Sequence, residues 1–191
     1  MTQADRERWD ERYRDGAYAG RTEPSALLAQ WIDRIPPGRA LDVACGAGRN
    51  ALFLAARGFE VDAVDISAVA LDRGRALARA AGLQVNWIEQ DLDEPLALGA
   101  DYALVVVARY VNLPLIRQLA DKLGPGGFLV CEEHLVTTAE VIGPSNPAFR
   151  VRPGELREVA GGLQIRFMQE GIIEEPDGRP AALARLVAER P

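Results

Sequence analysis

Residues 40–50 constrain the fold more than any other stretch. Ala40, Leu41 and Val43 open as an apolar strand, Gly46 and Gly48 break it, and a helical pattern from Ala51 to Arg57 follows until Gly58 stops it. A strand that turns sharply into a helix is how an α/β sheet builds a nucleotide pocket. The glycines let the backbone bend and leave room for a ligand, and the first helical N–H groups face it. Asp42 stands out as an acid inside an apolar strand. A buried carboxylate is costly unless something pairs with it, so Asp42 reads as part of a site.

The remaining chain repeats that alternation. Residues 59–65 read as a second strand ending in Asp65, with Ser67 capping a helix to about Gly82. Residues 84–89 form a third strand, closed by Gln90, Asp91 and Leu92. Residues 102–107 are continuously apolar, as a central parallel strand covered on both faces would be. A helix follows Pro114, and the Gly124-Pro125-Gly126-Gly127 turn leads into a fifth strand over residues 128–133. Residues 136–152 form a long connection, and such loops in compact domains usually carry function. A short helix over 153–159 and two strands, 163–173 and 181–189, finish the chain around a turn at Pro176-Asp177-Gly178-Arg179. Strands alternating with helices, then a terminal hairpin, predict a doubly wound, Rossmann-like α/β sheet with helices on both faces.

At 191 residues the chain is expected to be one domain, a helical cap over 1–36 and a Rossmann-like core over 37–191. In the cap, Trp9 and Tyr13 lie one helical turn apart and anchor a short helix. Thr22 and Pro24 are expected to start the next one, with Leu27, Leu28, Trp31, Ile32 and Ile35 as its buried face. The formal charge is −6, from 22 basic and 28 acidic residues, and no basic face is evident. That composition argues against nucleic-acid and anionic-membrane partners. Cys45, Cys131 and the single His134 form no disulfide framework and no metal-ligand cluster, so no metal is expected. With no signal-like start and no long apolar run, a cytoplasmic location is expected.

Gly46-x-Gly48-x-x-Ala51 satisfies the dinucleotide fingerprint, and Asp65 falls at the distance of a ribose-binding acid, which fits a nicotinamide-dependent oxidoreductase. Three features point elsewhere. Asp42 would repel a pyrophosphate but favour an ammonium or sulfonium. Asp91 adds a further acid at the end of the third strand. Beyond the fifth strand there is room for a hairpin but not for a substrate domain. S-adenosylmethionine fits this pattern, having no phosphate, two cationic centres, a ribose diol and an adenine amino group.

The set Asp42-x-x-Cys45-Gly46-x-Gly48-Arg49-Asn50, Asp65 and Asp91 resembles the first three motifs of class I S-adenosylmethionine-dependent methyltransferases. The Cys-Gly-x-Gly-Arg-Asn form is similar to the tellurite-resistance (TehB-like) members. The likeness continues through Trp9-Asp10-x-x-Tyr13, Arg21-Thr22, Pro125-Gly126-Gly127 and Pro153-Gly154-Glu155-Leu156. The resemblance implies a seven-stranded sheet of order 3-2-1-4-5-7-6 with the last strand antiparallel. It also implies that Asp65, followed by Ile66, accepts the ribose hydroxyls. Asp91 would take the adenine amino group beside the Leu92 backbone N–H, and the turn from Ala44 to Gly48 would wrap the methionine moiety. Asp42 would steady its ammonium, Arg21 would hold its carboxylate, and Ala108 and Arg109 would floor the pocket beside the methyl group.

Methyl transfer from a sulfonium needs alignment and dryness more than a catalytic triad. A thiolate or chalcogen anion needs no general base, whereas an oxygen or nitrogen acceptor does. His134 is the base candidate, or else a hydrogen-bonded structural histidine. Arg109 and Tyr110 either touch the acceptor or pack beneath the fourth strand. Arg150 and Arg152 could attract an anion or be solvated charge. Glu132 and Glu133 face opposite sides of a strand, so at most one is expected to point into a buried space. The leading reading is a methyltransferase for a small-molecule acceptor, possibly a chalcogen oxyanion such as tellurite, or a thiol. A regulator that binds S-adenosylmethionine without turnover is the non-enzymatic alternative.

Overall fold

A computed structural model describes residues 3–95 and 98–191. Seven strands form one sheet in the order β3-β2-β1-β4-β5-β7-β6. They are β1 (Arg39–Val43), β2 (Glu60–Asp65), β3 (Asn86–Glu89), β4 (Tyr102–Ala108), β5 (Leu123–His134), β6 (Gln164–Glu174) and β7 (Pro180–Glu189). Strands β1 to β5 pair in parallel, while β7 lies antiparallel to both β5 and β6. Strand order and the antiparallel insertion are as the sequence led us to expect.

Among the described residues, six α-helices accompany the sheet: α1 (Gln3–Arg14), α2 (Ala26–Trp31), α3 (Arg49–Ala55), α4 (Ala68–Ala81), α5 (Leu113–Ala120) and α6 (Glu155–Val159). Alternation along each strand divides the core between the two faces. One face packs Leu41, Val105 and Leu129 against Ile116, Leu119 and Leu156. The other packs Ala40, Leu104 and Val130 against Leu28, Trp31 and Leu54. Both faces are covered, so β4 and β7 are buried almost throughout.

Three local expectations are corrected. Helix α2 starts at Ala26, with Ser25 as its cap accepting the Leu28 N–H at 3.3 Å, so Thr22 and Pro24 lie ahead of it. The Gly124-Pro125-Gly126-Gly127 segment belongs to β5 itself. An added Cβ at Gly127 would come within 2.5 Å of the Tyr102 carbonyl oxygen, so the close approach of β4 requires glycine there. Glu132 and Glu133 are both buried, on opposite faces, because helices cover both sides of β5.

Candidate active site

Strands β1 and β4 end level with one another, Val43 beside Val107, and both chains leave the sheet through left-handed residues. After β1, Ala44 has φ 53°, Gly46 56° and Gly48 80°; after β4, Arg109 has φ 65°. Strained non-glycine positions gathered at one sheet edge are typical of functional sites. The crevice lies at the carboxyl ends of the strands, where β1 feeds α3 and β4 turns the other way.

Asp42 is 1% exposed and its Oδ2 accepts the Ala51 N–H at 3.0 Å. Gly48, the residue before α3, has no side chain with which to cap the helix. The strand carboxylate therefore does the capping, satisfying a helical donor that would otherwise be orphaned. Burial pushes the Asp42 carboxyl up to about 7, against the opposing pull of Arg49 and the Ala51 N–H. Asp65, 8% exposed, accepts the Gly46 N–H at 2.7 Å and the Ser67 N–H at 2.9 Å. It thus ties the glycine turn to the start of α4, and each oxygen keeps a lone pair to accept a further donor. Burial raises its pKa, with these N–H groups resisting.

Asp91 follows β3 and accepts the Asp93 N–H at 2.9 Å. With Ile66 it lines an open cleft of about 440 Å³ whose other wall is α1, through Gln3, Arg6 and Glu7. Leu92 is buried behind it. The Tyr110 hydroxyl is pushed up by burial and by the charges of Asp93, Asp91 and Asp65, so it faces the same acidic edge. Asp65 raises the pKa of Asp42 in the same way. The three acids converge on one end of the sheet.

The glycine turn is clamped from both sides. An added Cβ at Gly48 would lie 2.2 Å from the Trp87 ring, and one at Gly46 would lie 2.3 Å from the Tyr13 hydroxyl. Trp87 comes from β3 and also fills the notch at Gly74 of α4. Tyr13 comes from α1, which has no buried residue of its own. Polar contacts hold that helix. Asp10 accepts from Ser67 Oγ at 2.6 Å and from the Val69 N–H at 3.3 Å, and Arg6 pairs with Glu89. Asp10 thereby sits at the positive end of α4.

Other residues singled out from the sequence have partners within the chain. Asn50 accepts the Ser25 N–H at 2.9 Å, and Arg49 donates to the Glu23 carbonyl at 3.1 Å, fastening α3 to the start of α2. Cys45 is buried and its thiol is pushed well up by burial and by Asp42 and Asp65, so it is an inert thiol. Arg21 is exposed and rests 5.1 Å over the Tyr18 ring. Ala108 ends β4, partly buried, beside Glu132.

A second polar cluster adjoins the first at the ends of β4, β5 and β7. Arg109 donates to Glu132 at 3.1 Å, pairs with Glu175, and lies 3.3 Å from His134 Nδ1. Arg185 Nε stands 2.8 Å from Glu132 Oε2, an ion pair whose N–H is not aligned on the oxygen. Glu133, on the opposite face, accepts the Tyr110 N–H at 3.1 Å, and burial pushes its carboxyl up to about 8. Burial, Arg109, Arg150 and Arg21 together push His134 down to about 3. Arg150 donates to the Pro144 and Leu135 carbonyls and thereby shapes the long loop. Arg152 pairs with Glu155 at the surface.

Comparison with known proteins relates this arrangement to methyltransferases. A family model described as a methyltransferase domain matches residues 40–127. The chain is 26% identical over 148 residues to the ribosomal protein L11 methyltransferase of Symbiobacterium thermophilum, covering 76% of this chain and 49% of the relative. The crystal structure of TehB from Haemophilus influenzae superposes with a TM-score of 0.74 at 19% identity, over 92% of this chain and 66% of that one. Magnesium protoporphyrin IX methyltransferase from Synechocystis, solved with S-adenosylmethionine bound, superposes at 0.65 with 20% identity, over 87% and 77% of the two chains. Of two curated relatives that it matches, the chain spans 61% and 49% of the length. Residues 40–127 thus match a methyltransferase domain, and the fold is shared with S-adenosylmethionine-dependent methyltransferases, with TehB among the structural neighbours. No helix among the described residues is long and apolar enough to cross a membrane.

Proposed function

We propose that this chain is a cytoplasmic enzyme that transfers the methyl group of S-adenosylmethionine to a small, soft nucleophile, a thiol or a chalcogen anion. Its working unit is a Rossmann-like core over residues 37–191 with residues 1–36 as a helical cap. The observation that carries this reading is the convergence of Asp42, Asp65 and Asp91 on a glycine bend walled by α1, which sets carboxylates where a diphosphate would bring further negative charge.

The residues present fit such a cofactor. Lone pairs left on Asp65 suit a ribose diol, and Asp91 beside the Leu92 N–H suits the edge of an adenine. The buried acid Asp42 favours a nearby ammonium, which would draw its pKa back down. Arg21 would take the carboxylate, and residues 44–48 would wrap the chain that joins these groups. When bound, S-adenosylmethionine supplies a methyl group on a positively charged sulphur, with the leaving group already in place.

The protein's own contribution is then alignment and the exclusion of water. Ala108, Arg109 and Tyr110 floor the acceptor side. His134 stays neutral at physiological pH and is a weak base, which suits a hydrogen-bonding wall better than proton removal. That favours acceptors that arrive as anions or lose their proton readily. TehB among the structural neighbours supports the chalcogen side of the proposal, whereas the ribosomal-protein relative keeps macromolecular acceptors among those worth testing.

The test is release of S-adenosylhomocysteine across thiols, selenite, tellurite, small phenols and ribosomal protein. Turnover on a thiol or chalcogen anion, lost in Asp65→Ala, is expected. Saturable cofactor binding with no turnover on any acceptor would instead mark a non-catalytic binder.

A further inference from the structure

The Arg109 cluster holds one carboxylate that differs from the rest. Glu132 lies within the β5–β7 ladder, its side chain 2% exposed, and it is shared between Arg109 and Arg185. Glu175 reaches Arg109 from outside the ladder, since the last β6–β7 pair is Glu174 with Pro180. Its side chain is 17% exposed. The turn that carries it is closed by bonds that do not involve that side chain. The Glu175 N–H donates to the Arg179 carbonyl at 2.9 Å, the Gly178 N–H donates to the Glu175 carbonyl at 2.8 Å, and Asp177 pairs with Arg179. The carboxylate can therefore leave Arg109 while the hairpin stays formed.

Its departure would leave a positive site. Glu132 would then be shared as the ion-pair partner of two guanidinium groups, with Glu133 on the opposite face, and the charges acting on His134 are those of Arg109, Arg150 and Arg21. A buried, half-compensated cation calls for an anion. Arg109 offers a planar fork suited to a carboxylate or oxyanion, and it follows the strand that floors the acceptor side.

Building on the methyltransferase reading, we infer that Glu175 is an internal stand-in for an anionic group of the acceptor, which displaces it from Arg109 and is thereby selected. The pair sets acceptor specificity: neutral acceptors gain nothing from the exchange, and anionic ones replace one carboxylate with another.

Calorimetry on the full chain saturated with S-adenosylhomocysteine tests this with two thiols of similar size, mercaptoacetate and 2-mercaptoethanol. Mercaptoacetate is expected to bind more tightly than 2-mercaptoethanol. Glu175→Gln removes the competing charge and should tighten mercaptoacetate about fivefold, the scale of a single charge pair near the surface, with 2-mercaptoethanol unchanged. Glu175→Asp keeps the charge and should stay closer to wild type than Glu175→Gln. An equal shift for both thiols, no binding of mercaptoacetate by either protein, or an effect of Glu175→Gln on S-adenosylhomocysteine instead would overturn the inference. Failure of the parent reading shows separately, as no binding of S-adenosylhomocysteine in the first titration.

Discussion

Asp42 of β1 caps α3 across the glycine turn, its Oδ2 accepting the Ala51 N–H at 3.0 Å. One buried carboxylate thus fixes the direction of the helix that leaves the site and sets the charge beneath it. Asp42→Ala should cost about 1–2 kcal/mol of stability, as loss of a helix cap does. Asp42→Asn keeps an acceptor oxygen and should cost less. Urea denaturation of the two variants side by side measures the difference.

The same residue makes stability depend on pH. Its folded-state pKa is raised from 3.8 to about 7, and that of Glu133 from 4.5 to about 8. An acid whose pKa is raised on folding contributes stability that is present below its unfolded value and lost as pH rises through its folded value. The ligand-free protein should therefore lose stability between about pH 4 and about pH 8. Asp42→Asn should flatten the lower part of that fall and Glu133→Gln the upper part. Binding of a ligand ammonium near Asp42 should release protons at about pH 6.5, seen as a buffer-dependent binding enthalpy.

Gly48→Ala tests the clamp on the turn. The position has φ 80° and an added Cβ would lie 2.2 Å from Trp87, part of a ring wedged between β3 and α4. Backbone strain alone costs about 1–3 kcal/mol, and the rigid indole adds a clash. Both stability and S-adenosylhomocysteine affinity should fall. Gly58→Ala also meets a left-handed φ, 82°, but open space, and should leave affinity unchanged.

Helix α1 should detach without unfolding the core. It buries no residue and is held through Asp10 to Ser67 and Val69, and through Arg6 to Glu89. Asp10→Ala should speed proteolysis and hydrogen exchange within residues 3–14, while the midpoint of global unfolding shifts by no more than about 1 kcal/mol. Bound S-adenosylhomocysteine should slow the exchange again.

Period and punctuation made the strands and the glycine turn legible in the sequence, and the family resemblance supplied the strand order. Long apolar runs marked the buried strands, and Gly46 and Gly48 marked the bend. Asp42 was visible as an anomaly, but its bond to Ala51 was not, because a carboxylate in a strand gives no sign of which helix end it meets. The start of α2 was misplaced because Thr22 and Ser25 are equally good caps in sequence, and packing of Leu27 and Leu28 decides between them. Glu132 and Glu133 misled through the alternation rule, which assumes one open face where this sheet has none. The Arg109–Glu132–Arg185 cluster joins strands far apart in the chain, and only the β5–β7 register brings Glu132 opposite Arg185. Asp10 was hidden among the alternating charges of α1.

An acid-lined glycine bend shaped for an adenosyl group without phosphates is best tested by calorimetric titration of the full chain with S-adenosylhomocysteine, and in parallel with NADH. One saturable S-adenosylhomocysteine site is expected, weakened in Asp65→Ala by about 1.5–3 kcal/mol, the scale of hydrogen bonds to a charged group, with no heat from NADH. Saturable NADH binding with S-adenosylhomocysteine inert, or an Asp65→Ala affinity equal to wild type, would contradict it.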